Sequence, residues 1–247
     1  SRIHYVVIGG WLDSFLDEHK WLVRLLKKFD AIYVESDMMK SALQRRGFEN
    51  AVVMYNFKEL EPLAESDIEY PKSEPYKLCT FSRVMKEKGI EDAINAVESV
   101  NAHFGRPVYT LDIFGQVDVE YKERFSELKK SFPSYISYGG TIEANKSVEI
   151  LKSYFALLFP TYYKGEGFAG TLIDAMSAGV PVIASDWKYN PEFVVPGKTG
   201  VIIKNCNAER LAEELINIAA APEKWNSMRL SALKESEKYR PDIAARP

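Results

Sequence analysis

Soft metal ligands are scarce in this sequence, which holds two cysteines and three histidines in 247 residues. Cys79 and Cys206 stand far apart, in no C-x-x-C or other metal spacing, and His4, His19 and His103 make no H-x-x-x-H pair. Neither a metal site nor a disulfide framework is expected, and both thiols read as reduced cysteines of a cytoplasmic protein. Long apolar runs are missing too, since none approaches the roughly 18 residues of a membrane-spanning helix. The opening Ser1-Arg2-Ile3-His4-Tyr5-Val6-Val7-Ile8 is already a strand, without the polar lead-in of a signal peptide. With so abrupt a start, and as abrupt an end at Pro247, the chain reads as a fragment of a longer protein. Neither sign of charge is in excess: 32 Lys and Arg against 35 Asp and Glu leave a formal net charge of −3. The signs are interleaved, so nothing points to nucleic acid as a partner. Internal repeats and low-complexity segments are absent as well.

What is present is an alternation of short apolar runs with helical periodicity, at the 46% apolar and 27% charged content of a globular protein. Residues 5–8, 31–35 and 51–54 read as strands. A helix over 16–28 is marked by Leu22, Leu25, Leu26 and Phe29, and a second over 37–46 has Ser36 as its cap and Gly47 as its stop. Residues 58–76 carry Glu59, Glu61, Glu65, Asp67, Glu69 and Glu74 beside Pro62, Pro71 and Pro75, the composition of a poorly packing linker. A complete pattern begins at Lys77. Strands are expected near 77–81, 108–114, 136–138, 156–159, 180–184 and 200–203. Helices are expected near 89–104, 119–130, 144–152, 172–178, 191–194, 208–221 and 223–239. Buried strands separated by helices over short loops predict a parallel sheet covered on both faces. Leu211, Leu215 and Ile218 then form a core-facing stripe.

Ligands of open parallel sheets sit beyond the carboxyl ends of the strands. The most informative stretch at such an end is Gly165-Glu166-Gly167-Phe168-Ala169-Gly170-Thr171-Leu172-Ile173-Asp174-Ala175-Met176, which runs on into Gly179-Val180-Pro181-Val182-Ile183-Ala184. Its glycines let backbone N–H groups approach an anion, and the helix start adds a favourable field. Glu166 is either a surface turn residue or an acceptor for sugar hydroxyls. Thr171 reads as the N-cap, which puts Asp174 at N3, where it either completes a capping box or accepts from a ribose. Carboxylates repel phosphate while the amides attract it, so the natural ligand carries both phosphates and hydroxyls, as a nucleotide-sugar does. After strand 77–81, Arg83 and Lys88 are either solvated loop charge or a pair that reaches one phosphate. Gly139-Gly140-Thr141, after strand 136–138, is a tight turn or a point of close approach for a base. Ser185-Asp186 through Pro191-Glu192 borders the sugar or merely starts the next helix. Gly197-Lys198-Thr199 mimics the end of a P-loop, but Glu192 stands where that motif needs its first glycine, and a strand follows. It is a turn.

Taken together, Val84 through Glu209 resembles the donor-binding half of the retaining, nucleotide-sugar-dependent glycosyltransferases of GT-B fold. These are known as glycosyltransferase family 4 or glycosyl transferases group 1. The family's two carboxylates separated by seven residues, its alanine-methionine pair and its G-x-P-V-I-A strand stand here as Glu166, Asp174, Ala175-Met176 and Gly179 to Ala184. Its G-R-(x)n-K-G loop corresponds to Ser82-Arg83 and Lys88-Gly89, and its P-E and G-x-T-G elements to Pro191-Glu192 and Gly197-Lys198-Thr199-Gly200. Tyr55-Asn56 resembles the domain junction.

The resemblance implies two Rossmann-like parallel-sheet domains, the first incomplete: 1–57 from the acceptor side, a linker over 58–76, and a donor-binding domain over 77–247. It implies catalytic roles for Arg83, Lys88 and Glu166, with Arg83 and Lys88 neutralising the diphosphate and Glu166 contacting the donor sugar. Asp174 would grip the ribose, and Gly140, Gly167, Phe168, Ala169, Gly170 and Thr171 complete the donor site. No divalent metal and no cofactor besides the nucleoside diphosphate-sugar are implied. The acceptor would be a carbohydrate or a lipid-linked sugar, in polysaccharide or glycoconjugate synthesis. The expected location is the cytoplasm or the inner face of the membrane, with peripheral membrane contact through the missing N-terminal half. Several residues depart from the family pattern. Asp174 replaces a glutamate, Ser82 a glycine, and Lys188-Tyr189 a glycine pair, which either crowds the sugar pocket or signals an unusual donor; Gly9-Gly10-Trp11 replaces an acceptor-side histidine. The rival readings are a nucleotide-sugar-binding protein that has lost catalysis, and an epimerase on the same scaffold.

Overall fold

Three parallel strands, β1 (His4–Val6), β2 (Ala31–Val34) and β3 (Ala51–Val53), pair in the order β1-β2-β3 in the computed structural model, which describes residues 2–245. They pack with α1 (Leu12–Glu18), α2 (Trp21–Leu26) and α3 (Asp37–Arg45) around buried Leu12, Leu16, Leu26, Ile32, Met39 and Leu43. The single helix expected over 16–28 is two. On an unbroken helix Leu26 would point about 80° away from Leu16; the break at His19-Lys20 lets both reach one core. Ser36 caps α3 as expected, its hydroxyl accepting the Met39 N–H at 3.0 Å, and Gly47 ends it at φ +79°.

The second sheet holds β4 (Tyr76–Phe81), β5 (Tyr109–Phe114), β6 (Ile136–Gly140), β7 (Ala156–Phe159), β8 (Val182–Ser185) and β9 (Gly200–Ile203). All pairings are parallel and the order is β6-β5-β4-β7-β8-β9. The chain winds outward from β4 to β6, then returns to β7 on the other side of β4. The switch point of this sheet therefore lies between β4 and β7, where a crevice opens at the strand ends. Only Leu78↔Ala156 and Cys79↔Leu157 pair across it, so the two strands part before their carboxyl ends.

Helices cover both faces. The long ones are α4 (Ile90–Phe104), α5 (Lys122–Lys130) and, after α6 (Ser147–Leu151), α7 (Gly170–Ser177) and α8 (Asn190–Phe193), α9 (Ala208–Ala220). Ile90, Val97, Leu211 and Leu215 fill one side of the sheet, and Leu157, Leu172, Met176 and Phe193 the other. The chain continues through α10 (Pro222–Asn226), α11 (Arg229–Ser236) and α12 (Pro241–Ala244), where one helix was expected over 223–239. Arg229 is fully buried in α11. Its guanidinium donates to the carbonyls of Tyr154 at 2.7 Å and Lys152 at 2.8 Å, and burial lowers its pKa to about 10. No helix among the described residues is long and apolar enough to cross a membrane.

The acidic stretch expected to pack poorly is in fact laid down on the second sheet's helices. Leu60 and Leu63 join its core, Ile68 is buried, the Leu63 N–H bonds to the Ser177 carbonyl at 2.8 Å, and Asn226 donates to the Pro71 carbonyl at 2.8 Å. Three apolar residues spaced among the acids are enough, since the carboxylates can face water while the backbone finds partners.

Candidate active site

The loop from Thr161 to Ala169 leaves β7 at the switch point and is pinned by Phe168. That ring is buried, stacks on Phe193 with centroids 3.6 Å apart, and meets Tyr239 edge-on at 4.7 Å. With Phe168 anchored, Glu166 turns inward. Its carboxylate receives the Lys88 ammonium at 2.6 and 2.9 Å and the Thr161 hydroxyl at 2.7 Å. Lys88 itself stands 5.5 Å from the Phe159 ring centroid and 5.2 Å from that of Tyr163. It is delivered by the turn after β4, which ends on Gly89 at φ +71°; a Cβ there would stand 2.3 Å from the Pro160 carbonyl. Only glycine lets the β4 and β7 loops touch. Glu166, at 5% exposure, is no surface turn residue.

The second carboxylate corrects an expectation. Helix α7 starts at Gly170 with Ala169 as its N-cap and no side-chain cap, so Thr171 is not the cap and Asp174 lies beyond capping-box reach. Phe168 burial, not a hydroxyl cap, sets the approach to this helix, and the Thr171 hydroxyl is buried without a partner. Asp174 instead holds the Lys58 ammonium with both oxygens at 2.7 Å and accepts from the Ser147 hydroxyl at 2.7 Å. Burial raises its pKa, against the pull of Lys58 and Ser147. Both carboxylates of the loop–helix motif are thus served in the same way, by one lysine and one hydroxyl each.

The remaining expected residues are spread around this pair. Arg83 is 60% exposed, with its guanidinium 3.9 Å from Asp118, and does not join Lys88. Gly139 and Gly140 belong to β6 itself, not to a turn after it. Gly140 adopts φ +76° and its carbonyl accepts the Gly115 N–H at 2.8 Å. Beside it a cavity of about 100 Å³ is lined by Phe81, Ser82, Phe114, Gly115, Thr141 and Ile142. Gly197-Lys198-Thr199 is the expected turn, its threonine hydroxyl accepting the Val195 N–H at 2.9 Å.

Contacts from the first sheet complete the site, and the sequence reading missed them. Gly10 N–H donates to the Gly165 carbonyl at 3.1 Å, Lys188, at φ +49°, donates to the Gly10 carbonyl at 3.1 Å, and Asn56 donates to the Phe168 carbonyl at 2.9 Å. Glu192 accepts the Asp37 and Met38 N–H groups at 2.7 and 2.9 Å, supplying α3 with an anion at its N-terminus. Glu35, buried at the end of β2, accepts the Gly9 N–H at 3.2 Å and the Phe168 N–H at 3.1 Å. A lone acid closing the apolar run Ala31-Ile32-Tyr33-Val34 was the one available signal for it. Lys58, amid a row of acids, gave none.

Burial raises the pKa of Glu35, Glu166 adds repulsion, and the two N–H groups oppose both. A carboxyl raised in this way adds stability at low pH and loses that contribution as the pH climbs through its folded pKa. Glu35→Gln keeps an oxygen for both N–H groups and removes the charge. The variant should therefore melt above wild type at pH 8, with the gap closing toward pH 5. A variant that melts lower at pH 8 would show that the charged form holds this seam.

These elements define an α/β protein of GT-B fold with a polar site at the switch point of its second sheet. Residues 64–235 match the family model described as glycosyl transferases group 1, and the chain belongs to that family. It is 24% identical over 208 residues to an uncharacterized glycosyltransferase of Methanocaldococcus jannaschii, covering 78% of this chain and 50% of that protein. It is 31% identical over 178 residues to the GtfA subunit of a UDP-N-acetylglucosamine–peptide N-acetylglucosaminyltransferase of Streptococcus gordonii, covering 69% of this chain and 34% of that protein. The chain thus spans half or less of these curated relatives. Among solved structures, Anabaena HepE in complex with UDP-glucose superposes with a TM-score of 0.79 at 17% identity, over 98% of this chain and 70% of that one.

Proposed function

We propose that this chain carries the donor site of a glycosyltransferase that moves a sugar from a nucleoside diphosphate-sugar to a carbohydrate or lipid-linked acceptor. In this reading the configuration is retained and no divalent metal takes part. The observation that carries it is the Lys88–Glu166 pair, which holds a cation and a hydroxyl acceptor together at the switch point, against a glycine loop. On donor binding Lys88 turns from Glu166 to the diphosphate and stabilises the charge that develops as the bond to the sugar breaks. Glu166, so released, accepts hydroxyls of the sugar and orients it. Arg83 swings from its exposed position to the same diphosphate, and the amides of residues 167–171 share its charge. The base enters the cavity beside Gly140, and Asp174 with its partners serves the ribose–phosphate end. The departing phosphate takes the acceptor's proton, so no protein nucleophile is needed.

Residues 1–57 present the acceptor side and 77–247 the donor side. The transfer takes place in the cytoplasm or at the inner face of the membrane. Uridine is taken as the base, after the Streptococcus gordonii relative named for UDP-N-acetylglucosamine, with guanine as the rival after a Corynebacterium glutamicum relative named as GDP-mannose-dependent.

Calorimetry with UDP, GDP, ADP and CMP, in magnesium and in EDTA, tests the reading. UDP should bind at least tenfold tighter than the others, equally in both buffers, and Arg83→Ala should weaken it at least tenfold. Binding that requires magnesium, or no binding at all, would overturn the proposal.

A further inference from the structure

The ion pair of Lys58 with Asp174 falls outside the roles the motif suggests. Asp174 is closed to solvent at 2% side-chain exposure, and Lys58, at 28%, is not. Two hydrogen bonds from one ammonium and one from Ser147 occupy three of the roughly four acceptor positions a carboxylate offers. A ribose hydroxyl approaching this point therefore meets a donor, not an acceptor. The ammonium has spent two of its three N–H groups on Asp174. Its last two carbons lie 3.6 and 3.7 Å, and its Nζ 3.9 Å, from where a Cβ on Gly170 would stand, beside the glycine loop. The strand of chain that brings it is fixed two residues earlier, where Asn56 holds the Phe168 carbonyl.

We infer that Lys58 is a ligand-binding residue of the donor site, and that its free N–H is given to a phosphate oxygen of the nucleotide. Asp174 is its positioning residue and does not itself take the ribose. This rests on the donor-site reading above and refines it. The charge balance supports it: with Lys88 and Arg83 drawn to the diphosphate, Lys58 is the cation left beside the buried Asp174, which would otherwise repel the ligand. A charged N–H on a phosphate is also a stronger bond than the same N–H on a ribose hydroxyl. The cation comes from the segment joining the two sheets, so diphosphate binding draws on that segment's placement.

Calorimetry with UDP and with uridine on wild type, Lys58→Met, Lys58→Arg and Lys58→Met/Asp174→Asn separates the possibilities. Lys58→Met should weaken UDP at least tenfold and leave uridine within twofold, and Lys58→Arg should recover most of the UDP affinity. The double variant removes both charges of the pair, so it should melt near wild type yet bind UDP no better than Lys58→Met. Equal UDP affinity in wild type and Lys58→Met overturns the inference alone, as does an equal loss of uridine. A wild-type chain that binds neither UDP nor GDP overturns the donor reading and this inference with it.

Discussion

Lys88→Met should cost the chain about 3–5 kcal/mol of stability, roughly 10 °C in melting temperature for a protein of this size, and abolish measurable UDP binding. The ammonium is 12% exposed and its partner Glu166 6%, so the variant strands a carboxylate away from water with only the Thr161 hydroxyl to hold it. The rings of Phe159 and Tyr163, which flank the ammonium now, offer that carboxylate nothing. Stability and binding should then part company. Lys88→Met combined with Glu166→Gln removes both charges, so urea titration should recover most of the lost stability while UDP binding stays absent. If instead Lys88→Met binds UDP within threefold of wild type, the ammonium does not serve the phosphates and the proposed mechanism loses its main cation.

Gly10→Ala should leave UDP binding within threefold and lower donor turnover about a hundredfold, the scale expected of roughly 1 Å of misplacement between reacting groups. A Cβ at Gly10 would stand 1.9 Å from the Glu166 carbonyl and 2.6 Å from the Tyr189 ring. Neither neighbour can yield, the first being backbone and the second packed at the seam, so the two sheets must separate. The bonds that go with the seam are Gly10 to Gly165, Lys188 to Gly10 and Glu35 to Phe168. Faster amide exchange at Gly10 and Phe168 would report their loss directly. Gly105→Ala is the control. It forces an alanine into positive φ, at +65°, but with nothing within 4 Å of the new Cβ, so it should cost stability without touching turnover. Turnover unchanged in Gly10→Ala would show that the closed seam is not the productive arrangement.

Where sequence reading succeeded, local physics decided the matter. Apolar runs of strand length between amphipathic helices leave few options but a covered parallel sheet, and β4 to β9 lie close to where that pattern puts them. Ser36 and Gly47 end α3 by interactions within a turn, and both were legible. The glycine loop with its two carboxylates was legible for the same reason, since its residues are neighbours in the chain.

The partners of those carboxylates were not. Thr171 has the look of a cap and Asp174 that of a capping-box acid, yet the burial of Phe168 against Phe193 and Tyr239 starts the helix two residues early and breaks that logic. Lys58 comes from 116 residues away to reach Asp174, and Lys88 from 78 to reach Glu166. Glu35 lies 133 residues from the amide it holds. The break between α1 and α2, the burial of Arg229 and the packing of the acidic joining segment are likewise settled by which core each side chain can reach. Most strands, the caps and the strand-end loops are legible in the sequence, because propensity, capping and close glycine approach act over a few residues. Tertiary structure alone decided which charges meet. A buried carboxylate must find a partner wherever the folded chain brings one, and no local pattern records that distance.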